Sequence, residues 1–228
     1  MWTAYRLGLS EALKAYFGRL VIAQSTLDDF LVLHAEHETR SGGEVLSLGF
    51  QGDQPVRTLH TAEDTERSLS TVEDLLAKIQ LHFEVLPVDG AEDLRLDEAG
   101  SFEVDDFLDP VHLVRQHGLY LLSDDGHPRQ LARAYGAPRG GWLQVVCRML
   151  ALSRITTETA YLIAVAQLAA LRHAHLWLDA TILHGLDRLD DPRRDGLFQA
   201  AARYIGGLTA DMTSHTIVVA NFMRHAYI

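Results

Sequence analysis

The chain has 228 residues, 47% of them hydrophobic and 22% charged, values typical of a soluble globular protein with one sizeable core and no second, unrelated domain. Its longest strongly apolar run, Ala160 to Ala166, is far short of the roughly 20 residues that cross a bilayer, and no secretory signal opens it, so a cytoplasmic location without membrane contact is expected. A formal net charge of −11 argues against broad, nonspecific nucleic-acid binding, and the single cysteine, Cys147, excludes an intrachain disulfide and reads as a small core residue.

In chain order, Ser10 to Phe17 predicts a short helix ended by Gly18, and Leu20 to Ala23 a buried strand. Ser25 then opens a helix with Asp28 in a capping-box relation, while Asp29, beside Phe30 in the same first turn, has no such explanation. Residues 42–61 predict a projecting β-hairpin, and Thr61 or Thr65 caps a long helix through about His82 with Leu69, Val72, Leu75, Leu76 and Ile79 at helical spacing. His34 and His37 lie one turn apart beside Glu36 and Glu38 with no further ligand pattern, and read as a solvated helix face. Glu84 to Val88 predicts a strand, and an acidic loop follows to Glu103. Asp109 and Pro110 suggest the cap and first residue of a helix leading to a strand at Leu119 to Leu122. Helices then dominate, over about 128–135, 141–152 and 156–172, with a last strand at Leu176 to Leu178 and further helices near Ile182, over 193–205 and over 213–227. The alternation predicts an α/β fold: a mostly parallel sheet flanked by helices, with a β-hairpin insertion and C-terminal helices.

The Leu119 run breaks at Ser123 into Asp124 and Asp125, with a helix directly after. Carboxyl ends of parallel strands line the functional crevice in open α/β sheets, and adjacent carboxylates there suit a hard divalent cation. Asp125 reads equally as the N-cap of the helix whose first turn contains Pro128. Charge segregates around this point. Residues 84–125 carry twelve acids against Arg95 and Arg115, whereas residues 126–154 carry no acid and five arginines: Arg129, Arg133, Arg139, Arg148 and Arg154. Metal-assisted chemistry on a phosphodiester needs such a pairing of carboxylates with cations, and a helix surface balancing the acidic segment would show the same pattern.

The strings A-Q-S-T-L-D-D-F and, much later, L-Y-L-L-S-D-D-G-H-P-R-Q-L-A resemble the PIN-domain nucleases, which place an acid after one strand-helix junction and Ser/Thr-x-Asp at the end of another strand. The stretches G-G-W-L-Q-V-V, I-T-T-E-T-A-Y and R-H-A-H-L-W-L-D are similar to a bacterial PIN-like subgroup. The resemblance implies a three-layer sandwich over residues 1–186, with residues 187–228 as a helical extension packed on it. It implies Mg²⁺ or Mn²⁺ as cofactor, single-stranded RNA as substrate, Asp29 and Asp125 as catalytic metal ligands, Asp106 and Asp124 as further metal-binding acids, Ser123 as a hydrogen-bonding support and Arg129 as a phosphate contact. PIN domains open with a strand ending in a ligand Asp. Residues 1–9 contain no acid, so the sequence is expected to start beyond that strand, and Trp142 stands in the region where a fourth acid is sometimes found.

Three functions follow: a metal-dependent ribonuclease that needs its missing N-terminal segment or a protein partner to act; a noncatalytic interaction module using Ile217, Val218, Phe222 and Tyr227 of the C-terminal helices; and a toxin-like nuclease held inactive by a partner peptide.

Overall fold

A computed structural model describes residues 2–51, 54–88, 105–137, 139–173, 176–205 and 212–226. The acidic loop expected before Glu103 and Tyr227 lie outside them. The fold is mixed α/β and mostly helical, with small parallel sheets, a β-hairpin and C-terminal helices.

Helices α1 (Trp2–Arg6) and α2 (Ser10–Phe17) come first. Gly18 ends α2 with φ of +71°, which suits a residue without Cβ, and its N–H closes on the Lys14 carbonyl. Strand β1 (Val21–Ala23) runs directly into α3 (Gln24–Arg40). The expected Ser25–Asp28 capping box does not form, because the helix begins earlier, with Ala23 as an N-cap that lacks a side-chain bond; Asp28 instead accepts from Gln24 Nε2 one turn back, at 2.8 Å. Strands β2 (Val45–Gln51) and β3 (Gln54–His60) form the hairpin, antiparallel from Val45↔His60 to Gln51↔Gln54. Helix α4 (Ala62–His82) has the full capping box, Thr61 Oγ1 accepting from the Asp64 N–H at 3.2 Å and the Asp64 carboxylate accepting from the Thr61 N–H at 3.0 Å.

Strand β4 (Glu84–Leu86) lies parallel to β1, with Ile22↔Val85 at the centre of the register. Helix α5 (Asp105–His117) starts before the expected cap at Asp109 and carries Pro110 inside it; one lost backbone bond is outweighed by burial of Val111, His112, Leu113 and Val114. Strand β5 (Leu121–Leu122) leads to α6 (Gly126–Ala134) and pairs in parallel with β6 (Gly140–Gly141), which has no strand signature in the sequence. Its glycines let the backbones close: a Cβ on Gly140 would sit 3.1 Å from the Leu121 carbonyl oxygen, and one on Gly141 would strike the Tyr120 hydroxyl.

Helices α7 (Leu143–Leu152), α8 (Glu158–Ala170), α9 (Ala180–Asp187), α10 (Arg194–Tyr204) and α11 (Met212–Ala226) complete the chain. The expected strand at Leu176 to Leu178 does not form: among the described residues it joins no ladder. The side chain of Gln144 replaces a partner strand, accepting from the Trp177 N–H at 2.7 Å and donating to the Trp177 carbonyl at 2.5 Å.

The main core lies in the helical half, where Val146, Leu150, Val165, Leu186 and Ala201 are fully buried, and α1 and α2 add Ala4, Leu9 and Leu13. A smaller cluster, Val111, Val114, Leu121, Ala132 and Ala137, joins α5, β5 and α6. A third, Ile22, Leu75 and Ile79, seats β1 on α4. In α11, Val218 enters the main core and Phe222 stacks against Phe198 and His184, whereas Ile217 remains exposed. No described helix is long and apolar enough to cross a membrane.

Candidate functional site around the acidic turns

The turn Ser123 to Asp125 sits at the carboxyl end of β5 and feeds the first residue of α6. Asp125 is exposed and caps that helix, one carboxylate oxygen accepting from the His127 N–H at 2.8 Å, so the capping reading holds. That bond uses one of its two oxygens. Ser123 Oγ donates to the Asp125 carbonyl at 3.3 Å and so braces the turn.

Asp124 turns inward. One oxygen accepts from the Leu143 N–H at 2.8 Å, at the positive start of α7, and the other lies 3.5 Å from His173 Nε2, which is itself 3.3 Å from Thr3 Oγ1. This acid therefore ties the β5 turn to α7, to the end of α8 and to α1. Its charge also acts on Cys147, whose thiol is pushed up to about 12 by burial first and by Asp124 second, so the cysteine is an inert core thiol.

Asp29 is exposed in the first turns of α3, directly after β1. In the same turn Ser25 keeps its hydroxyl buried without a hydrogen-bond partner. Asp106 belongs to α5, and its side chain lies outside the described residues. His34 faces Glu73 at 3.8 Å, away from any metal-ligand grouping.

Among the described residues no three His, Cys, Asp or Glu side chains come together as a metal centre. Asp124 has both oxygens engaged and Asp125 one, so the described acids do not by themselves form the several-oxygen shell that Mg²⁺ or Mn²⁺ requires.

The arginines sort clearly. Arg148 pairs with Glu158 at 2.5 Å and leans on the Tyr161 ring. Arg129 donates to the Ser123 carbonyl and lies over the Trp142 ring, 5.4 Å from its centroid. Together with Arg133 and Arg139 it lines a half-open cavity of about 260 Å³ whose walls also include Leu121, Gly126 and Trp142. Sequence reasoning singled out Arg129 alone. The i, i+4 spacing of Arg129 and Arg133 was a usable signal for a shared helix face, but Arg139 joins them only through the β5–β6 pairing. Neither Leu143 nor His173 carried any sequence signal, because their contacts with Asp124 span 19 and 49 residues.

Together these features define an α/β domain with acidic turns following its parallel strands and an arginine cavity beside one of them. The profile of the PIN domain associated with the TPR-GreAB-C-PIN system matches residues 1–134, and the chain belongs to that family. No curated protein and no solved structure matches it. PIN domains are typically metal-dependent nucleases.

Proposed function

We propose that this chain is a cytoplasmic PIN domain for divalent-cation-dependent hydrolysis of single-stranded RNA, and that it cleaves only when a further strand supplies another carboxylate. The observation that carries the reading is the Ser123–Asp125 turn, at the end of a parallel strand and beside an acid-free arginine cavity. Asp29, Asp106 and Asp125 contribute carboxylates toward Mg²⁺ or Mn²⁺. Ser123 and Asp124 hold the turn in place, and Arg129 contacts phosphate. The added strand belongs to a longer form of this polypeptide or to a protein partner.

Two features support a strand-shaped complement. Among the described residues β1 pairs only with β4 and β5 only with β6, which leaves each with one edge outside a ladder. Ser25, in the first turn of α3 just after β1, holds a buried hydroxyl that has no hydrogen-bond partner among the described residues. Clustered carboxylates are needed to concentrate a hard, strongly hydrated cation, and guanidinium groups cannot take that role. The test is Mn²⁺-dependent cleavage of single-stranded RNA by three proteins: this chain, the chain extended at its N-terminus by a strand ending in Asp, and the extended chain carrying Asp125→Asn. Cleavage by the second protein alone is expected. Equal cleavage by the first would show that no complement is needed, and none by any of the three would overturn the nuclease reading.

One observation favours a noncatalytic module instead. Leu46, Leu48 and Phe50 of β2 alternate onto one face of the hairpin with Leu59 of β3, opposite Leu46, and all four are exposed. The C-terminal helix fits that role less well, since Val218 and Phe222 are used in packing.

A further inference from the structure

We infer that the cavity lined by Arg129, Arg133, Arg139 and Trp142 is a phosphate-binding pocket that seats one phosphate group of a single-stranded RNA next to the Ser123–Asp125 turn. The inference rests on the RNA reading above and extends it to residues beyond Arg129.

Three guanidinium-bearing residues line about 260 Å³ of half-open space, and among the described residues no carboxylate lines it. In a protein of net charge −11, three arginines gathered at one cavity make a local positive patch to which an anion is drawn. Arg133 and Arg139 are exposed and have no ion-pair partner among the described residues. Their sequence neighbour Arg148 shows the alternative outcome, a closed pair with Glu158.

Arg129 is oriented rather than free. Its bond to the Ser123 carbonyl and its position over Trp142 hold the guanidinium in one plane, which reduces the entropy lost when it grips an anion. Its Nη2 is also 3.9 Å from where a Cβ on Gly126 would lie, so the guanidinium sits beside the first residue of α6, the helix that Asp125 caps. The Trp142 ring is the platform under that guanidinium, and its own indole N–H is buried with no acceptor among the described residues. The planar guanidinium forks match the oxygens of a phosphate. The volume admits the phosphate group and part of an attached sugar.

The experiment is fluorescence anisotropy with a short 3′-labelled single-stranded RNA in EDTA, which separates binding from cleavage. Wild type is compared with the Arg133→Gln/Arg139→Gln double variant and with Arg154→Gln, outside the cavity, and circular dichroism verifies that all three are folded. The double variant is expected to lose about tenfold or more in affinity and to flatten the log–log salt slope by about 0.7, the value for one lost single-strand phosphate contact. Arg154→Gln should change neither. Inorganic phosphate should compete with the RNA for wild type. A 5′-phosphorylated strand that binds more tightly than its 5′-hydroxyl counterpart assigns the pocket to a terminal phosphate, and equal binding assigns it to an internal phosphodiester; both support the pocket. Unchanged affinity and salt slope in the folded double variant would overturn it. Because no divalent cation is present, loss of binding in that variant stands even if no form of the protein cleaves RNA, and cleavage with unaltered binding rejects the pocket alone.

Discussion

The two halves of this molecule are packed to different depths, and the candidate chemistry lies on the shallower one. Between residues 143 and 201, α7 to α10 keep Val146, Leu150, Val165, Leu186 and Ala201 at 0% exposure. By contrast α3, which carries Asp29, buries no side chain, and the cluster beneath β1 has only three buried members. The family match, residues 1–134, covers the strands and acidic turns and stops before α7, although Ala4, Leu9 and Leu13 near its start reach into the main core. Stability is thus concentrated in the helical half, and the acidic turns gain their order from a few polar ties to it, Asp124 above all. Such thin layers open at low free-energy cost.

The contrast in depth is sharpest in cavity-forming substitutions. Leu150→Ala is expected to cost about 2–5 kcal/mol, the range for a fully buried leucine, whereas Leu31→Ala, on exposed α3, should stay within about 0.5 kcal/mol. Denaturant unfolding of both variants checks this, and equal losses would contradict the division into deep and shallow halves.

A smaller effect separates the two neighbouring acids. Asp124→Ala should cost about 1–3 kcal/mol, because it strips the Leu143 N–H of its acceptor at a part-buried site and removes the carboxylate beside His173. Asp125→Asn should change stability by only a few tenths of a kcal/mol, since Asn caps a helix as well as Asp does. A reversed order would mean that the inward tie is unimportant.

Reactivity tests the core without a stability change. A Cys147 thiol with its pKa pushed up to about 12 by burial should resist iodoacetamide at pH 8.5 and react once the protein is unfolded. Linkage has a definite sign here: the raised value favours the neutral thiol, so this contribution is complete below the ordinary thiol pKa and fades as pH rises towards 12. Rapid labelling of the folded chain would show that the helical core is open.

The smallest effect is local. Arg193 holds Asp191 down to about 2 through side-chain and backbone hydrogen bonds. The depressed value means that its contribution is present above the ordinary carboxylate range and is lost as pH falls towards 2. A carboxyl titration by NMR should show this, and a midpoint near 4 would remove the pair.

Elements fixed by local chemistry were legible in the sequence: α2 with its Gly18 stop, α4 with the Thr61 cap, the hairpin and the Asp125 cap all stand where capping and periodicity put them. Errors arose where distant contacts override local signals. Gly140 and Gly141 form a strand because their lack of a side chain admits β5, and Leu176 to Leu178 do not because Gln144 satisfies the Trp177 backbone. Pro110 lies inside α5 rather than at its start, since the buried face of that helix extends in both directions around it. At the candidate site the strand-to-helix acids could be read from spacing. The inward turn of Asp124 and the convergence of three arginines could not, because both depend on tertiary neighbours.

The most direct test of the central claim, that this chain contributes carboxylates to a cation site it does not close alone, is a Mn²⁺ titration followed by electron paramagnetic resonance. This chain should bind weakly, and Asp125→Asn should weaken it further without altering the fold. Addition of a strand ending in Asp should tighten binding by at least about tenfold, as expected when a charged oxygen ligand joins an incomplete shell. Affinities that are the same for the chain, its Asp125→Asn variant and the extended protein would contradict the account.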